Sequence, residues 1–182
     1  MKKIKVLLIL LMLINPAISQ TKESKIREKI DKTNFDDAIL DVCTGNPQLC
    51  KVVTNPKIYS FMKKNYKKAL YTIAKIESGF RFKHGKRNKY DRGFFQINTK
   101  IWTPAKIEKH LGIKTTVWKI THNIQIQTEI ALRIWIYNTA IYVLKNKKHP
   151  SNLTQYISLY HNPSKISLKY QKKVQKIIWS KL

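Results

Sequence analysis

Glu77 is the residue in this chain with the clearest chemical potential. In the run from Ala69 to Gly79, Leu70, Ile73, Ala74 and Glu77 fall at offsets zero, three, four and seven, so they share one stripe of a helix. A carboxylate on that apolar stripe, and not on the lysine-rich face, is a misplaced charge unless it has work to do. Burial disfavours the ionised form and can lift a glutamate pKa from about 4.3 toward ~6. A carboxylic acid that keeps its proton near neutrality is what cleavage of a glycosidic bond requires. A helix-end glutamate that caps its helix or pairs with a basic neighbour fits the helix alone equally well.

Two further pieces follow in order: Gly93-Phe94-Phe95-Gln96-Ile97-Asn98, then Leu159-Tyr160-His161. Together with Glu77-Ser78-Gly79 they resemble the lysozyme-like lytic transglycosylases of bacterial cell walls. That family shows Glu-Ser at a helix end, a Gly-Leu-Met-Gln-Ile-type segment soon after, and an Ala-Tyr-Asn-type motif near the C-terminus. The likeness covers residues 58–182 and is strongest from Tyr66 to Trp102. The Tyr-His form of the third motif is similar to the small transglycosylases that accompany type IV secretion machines.

The resemblance implies a mainly α fold of the lysozyme-like α+β superfamily: one helical catalytic domain with a short extended β segment at its cleft. It implies Glu77 as sole acid/base. The carboxyl would protonate the leaving glycosidic oxygen, then accept the proton of the muramic acid's own primary hydroxyl as that group attacks the anomeric carbon. The product is an anhydro-sugar, and no water is consumed. One carboxylate suffices because the nucleophile is held in place by the substrate's own ring.

By the same resemblance Ser78, Phe95, Gln96, Asn98, Tyr160 and His161 are the substrate-binding candidates. Ser78 would orient the Glu77 carboxyl; the plainer reading is a serine capping its helix. Gln96 and Asn98 would offer amides to sugar or peptide groups. Of Phe94 and Phe95, one would pack in the core and the other face a sugar. The Tyr160 hydroxyl would steady the catalytic carboxyl, or else Tyr160 is a buried structural tyrosine. His161 stands where the family has Asn, and an exposed histidine there would be ordinary. Glycan strands of peptidoglycan are the implied partner, with components of an envelope-spanning secretion machine beside them. No metal or organic cofactor is implied.

Hydrolytic glycosidases usually need a second carboxylate, ~5 Å away if retaining and ~6.5–9.5 Å away if inverting. After Glu77 the only acids are Asp91, Glu108 and Glu129. Asp91, two residues before Gly93, is the candidate, and its alternative is a loop aspartate paired with Arg92 or capping a turn. A lysozyme-type muramidase is therefore the rival within the same class. The rival of another class is a noncatalytic cationic protein that binds the cell envelope. One more departure from the family is Gln127, four residues after Asn123, where glycine is usual and permits a close helix contact.

The elements that must position these residues are mostly helices. From Ile58 onward the pattern turns strongly helical, and Tyr66 to Ser78 reads as a helix stopped by Gly79. Arg81 to Asp91 is polar and loop-like, with Gly85 as a breaker. Gly93 to Asn98 is β-capable, a strand or extended turn. Thr103-Pro104 starts a helix that Gly112 ends. Ile124 to Leu144 is apolar on most faces, which predicts a helix buried at the centre of the domain; Glu129, Arg133 and Asn138 argue against a membrane span. Asn152 to Tyr160 forms a shorter helix, and Tyr170, Val174, Ile177, Ile178 and Leu182 mark the last.

Residues 1–19 read as a secretory signal peptide: Lys2, Lys3 and Lys5, an apolar run from Val6 to Ile14, and Ala17-Ile18-Ser19 as cleavage signal. The expected location is the periplasm. Residues 20–57 read as an N-terminal appendage whose Cys43 and Cys50, the only cysteines, form a disulfide in an exported protein. A crosslink over so short a loop stabilises by roughly 2–3 kcal/mol in the chain-entropy model. The formal net charge is +26, which suits a polyanionic partner or surface. Nucleic acid is disfavoured, because the lysines are spread along the chain and no nucleic-acid-binding signature accompanies them.

Overall fold

The computed structural model describes residues 22–81, 88–164 and 166–179. The signal-peptide reading, Gly85 and Leu182 lie outside the described residues. The chain is mostly helical. Helix α1 covers residues 22–31, followed by α2 (Phe35–Thr44), α3 (Pro47–Val53) and the long α4 (Pro56–Ser78). A two-stranded antiparallel hairpin, β1 (Asp91–Arg92) and β2 (Ile97–Asn98), pairs Asp91 with Asn98 and Arg92 with Ile97. Then come α5 (Pro104–Leu111), α6 (Val117–His122), α7 (Ile124–Asn146), α8 (Leu153–Ser158) and α9 (Leu168–Trp179).

Short polar side chains set most helix starts, each accepting a backbone N–H that the first turn leaves orphaned. Asn34, Asn55, Thr103, Thr116, Asn123 and Asn152 do this for α2, α4, α5, α6, α7 and α8. At the other end, Gly79 (φ 61°) and Gly112 (φ 68°) close α4 and α5 in the left-handed region, where glycine carries no Cβ penalty.

Three segments refine the sequence expectation. Helix α4 is one continuous helix from Pro56, two residues before the helical pattern sets in at Ile58, because Asn55-Pro56 supplies both a cap and a first residue with helical φ. Asn46-Pro47 likewise opens α3, so the segment crosslinked by Cys43 and Cys50 contains the first turn of a helix. Of the segment Gly93 to Asn98, only Ile97 and Asn98 form a strand. Residues 93–96 are the turn that leads back from β1.

Helix α7 is the central element. Ile130, Leu132, Trp135 and Ile136, on different faces, are all fully buried, as a helix apolar on most sides requires. Trp135 donates its indole N–H to the Tyr156 carbonyl at 2.7 Å. Asn138 donates to the carbonyls of Leu159 and Tyr160 at 3.0 and 3.2 Å, fixing the segment after α8. Helices α2 and α3 pack on α7, and Ile26, Phe35, Val42 and Val53 belong to the same apolar core. The nearly buried Arg133 of α7 pairs with Asp41 of α2 at 2.6 Å. Among the described residues no helix is long and apolar enough to cross a membrane.

Candidate active site

The stripe that carries Glu77 is buried: Leu70, Ile73 and Ala74 have no exposure at all. Glu77 itself, in the last turn of α4, opens onto a cleft of about 220 Å³. The hairpin contributes Asp91, Gln96, Ile97 and Asn98 to the lining, α7 contributes Ile134, and Tyr160 and His161 follow from α8. Ile101 and Trp102 add an apolar stretch of wall, and Asn88 completes it. The three sequence pieces thus meet in one cavity.

Glu77 is held from the far end of the chain. The Tyr170 hydroxyl, on α9, donates to Glu77 Oε1 at 2.7 Å. Among the described residues Oε2 has no such bond. Burial raises the Glu77 pKa above the ordinary glutamate value. The Tyr170 bond and the charges of His161 and Lys173 pull the other way, while the Asp91 charge adds to the rise. The net direction is upward. Tyr170 is itself deeply buried, and burial, reinforced by the Glu77 charge, pushes its phenol well above the usual tyrosine range.

Asp91 is also raised, chiefly by burial, against the bonds it accepts from Asn98 Nδ2 at 2.8 Å and Asn88 Nδ2 at 3.1 Å. A second carboxyl therefore shares the cleft, held by two amides and with Arg92 attracting its charge.

The remaining candidates divide. Gln96 lines the cleft from a left-handed position (φ 48°), and its Nε2 donates to the Gly93 carbonyl at 2.7 Å. Asn98 lines it too, but its amide is engaged: Nδ2 holds Asp91, and Oδ1 accepts from the backbone of Lys100 and Ile101. His161 is exposed, and its ring stacks on Tyr170 with centroids 5.2 Å apart.

Three expectations are corrected. Tyr160 lines the cleft, but its hydroxyl does not go to Glu77; it donates to the Phe95 carbonyl at 2.9 Å. A hydroxyl has one proton to give, so Tyr160 pins the turn and Tyr170 holds the acid. Phe95 has no exposure and Phe94 only 4%, so neither ring faces a sugar, because the turn points both into the core. Ser78 is buried and donates to the Ala74 carbonyl at 2.9 Å. It closes its own helix and does not orient Glu77.

Gln127 turns out to be a structural partner of the site. Its side chain is fully buried; Oε1 accepts from Phe94 N and Nε2 donates to Thr121 O, both at 2.9 Å. The amide thus ties the cleft turn to the end of α6. A Cβ on Gly93 would lie 2.1 Å from Gln127 Oε1, so glycine is required there both for its φ of 69° and for room. The close approach is made by glycine on the turn, with glutamine on the helix, the reverse of the expected arrangement.

Such a site can donate a proton from Glu77, holds a second acid nearby, and presents Trp102 on its wall. The Trp102 indole is half-buried and packs edge-on against Tyr137 at 5.5 Å, leaving an ordered aromatic surface at the cleft. Among the described residues no group of three or more His, Cys, Asp or Glu is placed to hold a metal ion. No protein-family model, curated protein or solved structure matches the chain.

Proposed function

We propose that this chain is a periplasmic lytic transglycosylase of lysozyme-like type, acting on the glycan strands of peptidoglycan. The observation that carries the reading is Glu77: an acid lifted by burial, anchored through one oxygen by Tyr170, and opening on a cleft with Gln96 and Tyr160. The proton on Oε2 goes to the glycosidic oxygen as the bond to the anomeric carbon breaks. The carboxylate so formed then takes the proton of the muramic acid primary hydroxyl, whose oxygen bonds to the same carbon. Atoms balance without water, and Glu77 ends protonated, ready for another turn.

The test is digestion of purified cell wall followed by mass spectrometry of the fragments. Anhydro ends are expected from the wild-type protein. Glu77→Gln should lower the rate by about 10²–10⁴-fold with an unchanged circular-dichroism spectrum. A variant as active as the wild type would remove the assignment.

Muramidase hydrolysis is the second reading, favoured by one observation: Asp91 shares the cleft, and its charge adds to the rise of the Glu77 pKa. An acid there could activate a water. Asp91→Asn separates the two readings, since a hydrolase would lose its reducing-end products while a transglycosylase would go on releasing anhydro ends. Wall binding with no turnover at all would instead indicate a cationic envelope-binding protein.

A further inference from the structure

Tyr170, which holds the acid, sits in the first turn of α9, where a helix is least secured by its own hydrogen bonds. Two contacts from outside the helix fix it. On the backbone side, Ser167 Oγ accepts from Tyr170 N at 3.3 Å. On the side-chain side, the His161 ring lies nearly parallel to the Tyr170 ring, with 13° between planes and 5.2 Å between centroids, the geometry of an offset aromatic pair. His161 lines the cleft and is itself well placed. Its backbone N–H donates to the Ser158 carbonyl at 3.3 Å, and the buried Asn138 of α7 grips the carbonyls of Leu159 and Tyr160 just before it. The stack therefore joins the first turn of α9 to a segment that the central helix fixes. The Tyr170 hydroxyl, 2.7 Å from Glu77 Oε1, depends on where that ring is set. Tyr160 cannot stand in for it, because its own hydroxyl is committed to the Phe95 carbonyl.

We propose that His161 is a positioning residue for the acid: its ring braces the ring of Tyr170 and so keeps the tyrosine hydroxyl on Glu77 Oε1. The residue need carry no charge and touch no sugar to do this; what it supplies is a flat face on a fixed backbone. For its effect on turnover the proposal rests on the transglycosylase reading. For the hold on Glu77 it rests on the contacts alone.

Three replacements separate the ring from the charge. His161→Phe keeps a flat ring with no titrating group, His161→Gln keeps a polar side chain without a ring, and His161→Ala keeps neither. His161 is exposed, so all three should fold, which circular dichroism checks. The titration of Glu77 is followed by carbon-13 NMR of the glutamate carboxyls, with Glu77→Gln identifying its signal. The Tyr170 bond pulls the Glu77 pKa down, so losing it should move the midpoint upward in the Gln and Ala variants relative to Phe. A charge on His161 also lowers Glu77; all three variants remove it equally, and only the difference between them reports the stack. Lys173, Asp91 and Tyr160, the other groups that act on Glu77 or feel its charge, are unchanged throughout. In a Tyr170→Phe chain the three should titrate alike, since no hydroxyl is left to place. Wall cleavage by the Gln and Ala variants should fall about threefold to tenfold below that of the Phe variant, the scale of one aromatic pair. Equal midpoints in all three with Tyr170 intact overturn the proposal, and so does a difference that persists once the Tyr170 hydroxyl is gone. Failure of the wild-type protein to release anhydro ends would sink the reaction while leaving the titration result to stand.

Discussion

A carboxyl raised by its surroundings leaves a thermodynamic trace that needs no substrate. Glu77 binds its proton more tightly in the folded chain than in the unfolded one. Stability from this group is therefore fully present below the ordinary glutamate pKa and declines as the pH rises toward and through the folded value. Glu77→Gln removes that dependence while keeping an oxygen for Tyr170 to bond. Thermal melts should show the variant more stable than wild type at pH 7 to 8, the gap closing toward pH 4. A constant gap across that range would mean Glu77 is not raised. Tyr170→Phe acts in the opposite sense to burial relief. The Tyr170 bond lowers the Glu77 pKa, so its loss should carry the alkaline limb of the wall-cleavage profile to higher pH. With the acid no longer anchored, the rate at the optimum should fall by about tenfold, the scale of one hydrogen bond to a charged group. An unmoved limb would show that Tyr170 is only packing.

At the scale of elements, the turn between β1 and β2 depends on Gly93 and Gln127 together. Gly93→Ala must strain a left-handed φ and drive a Cβ into a buried amide. It should cost about 1–3 kcal/mol, read as a fall in denaturant midpoint. Gln127→Ala in the same chain should recover part of that loss, because the obstructing atoms are gone; no recovery would point to the φ strain alone. This contact shows what the sequence leaves hidden. Gln127 was legible as an oddity beside the family pattern, but its partner was not, since nothing local pairs it with Gly93. The starts of α5 and α8 and the end of α4 could be read directly, because caps and glycines act on their immediate neighbours. The start of α4 was legible only to within two residues: the pattern turns helical at Ile58, while Asn55-Pro56 sets the cap. Glu77 stood out by breaking its stripe. Tyr170, 93 residues away, blended into its own stripe, and only its buried hydroxyl hinted at a partner.

Across the whole molecule, charge is partitioned. Six of the ten acids fall between Glu23 and Asp41, and several of them face the lysines and arginines of later elements: Asp36 with Lys63 at 2.8 Å, Asp31 with Lys67 at 2.9 Å, Asp41 with Arg133. The exposed pairs contribute little each, since water and salt screen them. Their larger effect is to neutralise one side of α4 and leave the rest of the chain strongly cationic. That residual field favours approach to an anionic surface, at a rate that salt should reduce.

The tether on Glu77 also has a timing consequence. Tyr170 belongs to α9, so a polypeptide clipped after α8 would keep every cleft piece with its acid unanchored. The acid would be held in place only once α9 has docked, which couples the readiness of the cleft to a segment far from it in sequence.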